Sequence, residues 1–142
     1  MKQFPYVGVL LIALCSCDPC LEMRSCADLF TFRIVDKVNQ RDLVFDPNPA
    51  YNRDSVFLMT TLAGYAGPMS SNDGTKFQSR LVIPVDTFYL RLNSFDTDTL
   101  LVNYDYVKYK CCKSPRGYGR VIGIRYNGVN ARKDGDTYIF EK

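Results

Sequence analysis

Three of the six cysteines fall within seven residues at "LCSCDPC" (Leu14–Cys20), and two more stand side by side at Cys111-Cys112. Thiols at such spacing suit a metal cluster, a disulfide framework or covalent modification. The chain contains no histidine, which removes Ser-His, Cys-His and His-metal arrangements. It also lacks G-x-S-x-G, P-loop and G-x-G-x-x-G patterns. Carboxylate chemistry remains. Asp96 and Asp98 in "DTDT" are two residues apart, so on a strand they share a face. They suit an acid-base pair, a Ca2+ ligand set or a polar turn. A calcium loop needs a third oxygen ligand, a glycine and a distal glutamate. None follows at that spacing, so the turn reading is preferred. "NDG" (Asn72–Gly74) and "DGD" (Asp134–Asp136) read as turns for the same reason. No catalytic residue, metal ligand or cofactor site is assigned from the sequence.

What precedes the first cysteines decides their chemistry. Met1-Lys2-Gln3 carries one positive charge, and "FPYVGVLLIAL" (Phe4–Leu14) is an uncharged apolar run. A membrane-spanning helix needs about 20 such residues. A basic start followed by a shorter apolar run and small residues is the pattern of a secretory signal. The chain is therefore expected to be exported.

The next residues, Leu14-Cys15-Ser16-Cys17, resemble the lipobox of bacterial lipoproteins. That resemblance implies cleavage before Cys17 and a diacylglycerol thioether on its sulfur. Residues 1–16 would be the signal peptide and 17–28 a lipidated tether. Two or more acyl chains hold a protein stably on a bilayer, whereas one holds it reversibly. The expected location is the cell envelope, at the outer membrane on its periplasmic or surface face. The expected membrane contact is the lipid on Cys17.

Removal of Cys15 and lipidation of Cys17 leave Cys20, Cys26, Cys111 and Cys112. Outside the cytoplasm such thiols oxidise, and four cysteines allow three pairings. Two of the pairings tie the tether to Cys111-Cys112. The third closes a strained vicinal bond and a short loop. Zinc would need four thiolates in a tetrahedron, usually as spaced pairs. A tether-to-strand disulfide is expected.

The elements that must position these groups are strands. "LFTFRIV" (Leu29–Val35) alternates, with Phe30, Phe32 and Ile34 on one face. "SVFLMTTL" (Ser55–Leu62) is apolar on both sides and suits a central strand. "KFQSRLVIPV" meets Pro84, which belongs on an edge or at a strand end. "TFYLRLN" points Phe88, Leu90 and Leu92 inward. "LVNYDYVKYK" (Leu101–Lys110) changes phase near Tyr106-Val107, as a bulge would cause. "RVIGIRY" places Ile122, Ile124 and Tyr126 on one face, and "DTYIFEK" closes the chain. "DPNPAYNRD" and "GYAGPMSSNDG" read as loops, and "FDTDT", "YNG" and "KDGD" as tight turns. Period-2 runs without helical periodicity predict an all-β antiparallel sandwich of seven or eight strands over residues 29–142. The expected core comprises Phe32, Ile34, Phe57, Leu90, Leu92, Val102, Ile122 and Ile124.

The stretches "FRIVDKVNQRDLVF", "DSVFL", "FYLRLNSFDTDTLLVNY", "CC" and "IRYNG" resemble small exported lipoproteins of Bacteroidota-type bacteria. The opening strand-turn-strand also looks like that of transthyretin-like domains. These resemblances imply a lipid-anchored transthyretin-like or Ig-like sandwich and bring no catalytic residues.

Charge adds a candidate surface. Residues 106–133 hold eight lysines and arginines and no acid, a net +8, while the rest of the chain after residue 16 holds nine bases and fifteen acids, a net −6. Lys113, Arg116, Tyr118 and Arg120 flank the Gly-rich "SPRGYGR" loop and are candidate contacts for an anionic glycan or lipid headgroup. The competing reading is a solvated strand face paired with neighbouring acids. Export makes nucleic acid a poor partner. The functional expectation is a non-catalytic binding or interaction module, alone or within an envelope protein complex. A carboxylate-based envelope enzyme acting on glycan, and a purely structural envelope protein, are the alternatives.

Overall fold

The computed structural model describes residues 29–60, 73–81, 85–108 and 117–142, together with the strand path of 64–68. Among these residues the fold is an all-β sandwich, as expected. One sheet has four strands in the order β4 (Phe77–Arg80), β1 (Leu29–Val35), β10 (Thr137–Glu141) and β9 (Arg132–Asp134). The other has six, in the order β3 (Gly64–Pro68), β2 (Phe57–Thr60), β5 (Thr87–Arg91), β6 (Thr97–Val107), β7 (Tyr118–Tyr126) and β8 (Val129–Asn130). All pairings are antiparallel except β1 with β10, which run parallel from Thr31↔Thr137 to Val35↔Glu141. An immunoglobulin constant domain places strands one, two, five and four in one sheet. Here the first strand sits beside the fourth and the second beside the fifth.

The surplus over seven or eight strands comes from short edge elements. β8 and β9 are two and three residues long. β3 arises inside "GYAGPMSSNDG", expected as a loop. Its Gly64 and Tyr65 pair with Thr60 and Met59, and Pro68 lies opposite Phe57. β3 is the outermost strand of its sheet, where a proline is tolerated because it has no ladder donor to lose. Pro84 lies outside the described residues.

The inner faces of both sheets share one core. Phe32 stacks on Phe140 at 4.9 Å, and Phe140 stacks on Tyr126 of the opposite sheet at 4.9 Å. Of the eight expected core residues, Phe32, Ile34, Leu90, Leu92, Val102 and Ile124 are buried. Two expectations are corrected. In β2, Leu58 and Thr60 turn inward, so Phe57 faces outward and is only partly covered. Ile122 is 62 % exposed. Asn103 pairs with Gly123 and Tyr104 with Val121, so Ile122 has no opposite number on β6. It is the extra residue of a β-bulge, which reverses the inward phase along β7. β6 itself keeps its phase, with Asp98, Leu100, Val102 and Tyr104 inward, so the bulge expected near Tyr106-Val107 lies instead in β7, opposite Asn103-Tyr104. Ile122→Ala should change the unfolding free energy by no more than about 0.5 kcal/mol, whereas Ile124→Ala should cost about 2–5 kcal/mol. Parallel urea titrations check both values.

The connection from β1 to β2 contributes core as well. Leu43 and Val44 are buried. Leu43 N–H bonds Ile34 O, and Leu43 O accepts from Ala50 and Tyr51. Asp42 Oδ1 accepts from Val44 and Phe45 N–H, while Oδ2 takes Arg33 Nε at 2.8 Å. One buried carboxylate thus satisfies the turn and pairs with the outer face of the four-stranded sheet.

Candidate functional site

Asp96 and Asp98 meet at one end of the sandwich, together with Lys142. β10 runs beside β1, and the ladder continues one residue past its end. Lys142 N–H bonds Val35 O, and Lys142 O accepts Lys37 N–H, both at 2.9 Å. This fixes the Lys142 backbone and aims its side chain at the start of β6. Nζ lies 2.8 Å from Asp96 Oδ1, 2.9 Å from Asp98 Oδ1 and 2.7 Å from Asp98 Oδ2.

The surrounding groups come from three further segments. Asp98 is an inward residue of β6 and is buried. The β5–β6 turn holds Asp96 by Leu92 N–H to Asp96 O at 2.9 Å. Tyr51 OH donates to Asp96 Oδ2 at 2.7 Å, and Tyr126 OH donates to Asp98 Oδ2. Asn127 and Gly128 form the two-residue turn between β7 and β8, with φ of 48° and 84°. Asn-Gly suits such a turn because both residues tolerate positive φ. The Asn127 side chain accepts Thr99 N–H and donates to Asp98 Oδ1 at 2.7 Å.

Every carboxylate oxygen of the pair therefore has a donor. Burial pushes Asp96 upward, but bonds from Lys142 and Tyr51 outweigh it and hold the carboxyl below its ordinary value. Burial pushes Lys142 down, yet its two carboxylate partners bring it above the ordinary lysine value. Burial, then the bond to its aspartate, raises both Tyr51 and Tyr126. The ammonium occupies the space between the carboxylates. Chemically this is a saturated ionic staple joining the last strand to three loops. Among the described residues no group of three or more His, Cys, Asp or Glu gathers as a metal site.

The other candidates lie toward the opposite end. Tyr118 opens β7 opposite Val107, and Arg120 ion-pairs with Asp105 on the neighbouring strand. The solvated-face reading thus describes Arg120. Gly117, at φ 85°, precedes β7 where a Cβ would lie 2.4 Å from Val107 O. Only glycine lets the chain rejoin β6 there. Val121 lines a cleft of about 340 Å³ with Leu29, Phe30 and Tyr138. The start of β1 and the β6–β7 strand ends therefore share one end of the sandwich. Cys17, Cys20, Cys26, Cys111, Cys112, Lys113 and Arg116 lie outside the described residues.

Sequence reasoning found the two aspartates but not Lys142, Tyr51 or Asn127. The alternation of "DTYIFEK" continues to Lys142, yet nothing local says that its partner lies 44 residues away. A scan against protein-family models and searches of curated proteins and of solved structures found no match to this chain.

Proposed function

We propose that this chain is a lipid-anchored cell-envelope protein, tethered through Cys17, that acts as a non-catalytic binding or interaction module. The observation that carries the reading is the polarity of the sandwich. β1 starts at Leu29, directly after the proposed tether, and the strand ends flanking residues 109–116 lie at that same end. The two candidate acids lie at the other end and are both engaged by Lys142. A glycan hydrolase would instead need two carboxyl groups opposed across a substrate cleft.

The same polarity supports a disulfide between the Cys20/Cys26 tether and Cys111-Cys112. The described segments on either side of these cysteines converge on one end. It also supports an anionic headgroup or glycan as the neighbour of Lys113 and Arg116. Non-reducing peptide mapping should recover a linked peptide joining residues 17–28 to the Cys111-Cys112 region. Recovery of only unlinked peptides would remove that bond from the reading.

Cys17→Ser tests the anchor. The variant should leave the detergent phase on phase separation, or persist with residues 1–16 attached. Unchanged partition of a processed variant would overturn the proposal.

A further inference from the structure

The two outer faces of the sandwich differ in composition. On the four-stranded sheet most outward positions are polar, with Thr31, Arg33, Gln78, Arg132, Asp134 and Glu141 surrounding the apolar Leu29, Val35 and Ile139. On the six-stranded sheet the apolar outward residues are larger and include aromatic rings. Phe57 and Met59 of β2, Tyr89 of β5 and Leu101 of β6 all point outward and are partly buried. Register places them together. Met59 lies opposite Tyr89, and Tyr89 opposite Thr99. Phe57 lies opposite Arg91, whose guanidinium sits 5.0 Å from the Phe57 ring centroid. Leu101 lies opposite Arg125.

The unpaired charge on this face is positive. Arg91 and Arg125 are exposed and make no ion pair among the described residues. The one acid at an outward strand position of this sheet, Asp105, is already paired with Arg120. From strand spacing and rise, Arg91 and Arg125 stand roughly 16 Å apart, at opposite corners of the apolar area. Aromatic residues, methionine and arginine, with few lysines or acids, make up the composition that marks the centre of a protein–protein interface. An isologous dimer through this face would bring like charges together at its rim. An acidic partner would neutralise them.

We propose that the outer face of the six-stranded sheet is a docking surface for a different protein, one that presents acidic side chains around an apolar patch. Tyr89, Phe57 and Met59 supply its apolar centre, and Arg91 and Arg125 its charged corners. The inference rests on the interaction-module reading and specifies which surface does the binding.

Site-specific photocrosslinking in the envelope of intact cells tests it, with benzoylphenylalanine placed at Tyr89 or Thr99 and, as control, at Thr137 on the other face. The proposal expects a discrete protein adduct from positions 89 and 99 and none from 137. The crosslinked partner peptide should be rich in Asp and Glu. Combined Arg91→Glu and Arg125→Glu should lower the adduct at least tenfold while leaving the circular dichroism spectrum and thermal midpoint in place. No adduct, equal adducts from both faces, a self-adduct, a lipid or glycan adduct, or indifference to the double charge reversal would each overturn it. Partition of the same samples between membrane and soluble fractions reads the anchor separately, so failure of the docking surface is distinguishable from failure of the anchoring proposal.

Discussion

Phe140→Ala is expected to lower the unfolding free energy by about 3–5 kcal/mol, and the thermal midpoint by on the order of 10–20 °C. Phe140 is fully buried on β10 and stacks on Phe32 in its own sheet and Tyr126 in the other. Removing the ring costs its transfer energy and leaves a cavity at the junction of the two layers. Backbone ladders on both sides of the site restrict collapse, because β10 is paired with β1 on one edge and β9 on the other. Phe140→Leu keeps most of the volume and should cost less than half as much. Urea unfolding of the two variants checks the order. Equal, small losses would mean that the sheets do not meet through this residue.

Asp98→Ala is expected to cost about 3 kcal/mol. The substitution strips acceptors from Tyr126 OH, Asn127 Nδ2 and Lys142 Nζ at once. Asp96 remains to hold the partly exposed ammonium, which keeps the loss below that of a wholly buried pair. Asp98→Asn retains an acceptor and the side-chain shape, and should cost less. The staple also sets a pH signature. Asp96 titrates below its ordinary 3.8 in the folded state, so its contribution is present above that value and is lost as pH falls through the lowered one. Lys142 titrates above its ordinary 10.5, so its contribution is complete below 10.5 and is lost as pH rises through the raised value. Between about pH 5 and 9 these two groups leave stability flat. Lys142→Met removes the cation that holds Asp96 low, so its stability deficit relative to the native chain should shrink as pH falls through the lowered Asp96 value. A deficit that stays constant from pH 7 to pH 2 would argue against the ion pairs.

How much of this was legible in the sequence follows from what each feature depends on. Strand alternation is local, and it gave the sandwich and six of the eight core positions. Ile122 defeated it because a bulge belongs to a pair of strands, and "RVIGIRY" read alone does not reveal that Asn103 and Tyr104 skip a residue. β3 was hidden because glycine and proline signal turns, whereas an edge strand needs only half of its backbone groups paired. Asp96 and Asp98 stood out through their spacing. Lys142 did not, because its position depends on the parallel pairing of the first and last strands, the least local contact in the fold. The apolar outer face was visible in part, since Ser55–Leu62 is apolar on both sides. That pattern predicts a central strand, and β2 does lie between β3 and β5. The structure supplies the register that gathers Phe57, Met59, Tyr89 and Leu101 into one area.

The proposal that the sandwich is carried on a lipid at Cys17 and turns its six-stranded face to a partner in the envelope rests first on the anchor. Mass spectrometry of the protein extracted from membranes tests its premise most directly. The expected result is a mature chain whose first residue is Cys17, with acyl groups on that residue and a mass matching residues 17–142 plus the lipid. A mature protein that still carries residues 1–16, or one that starts at Cys17 without any acyl group, would contradict it.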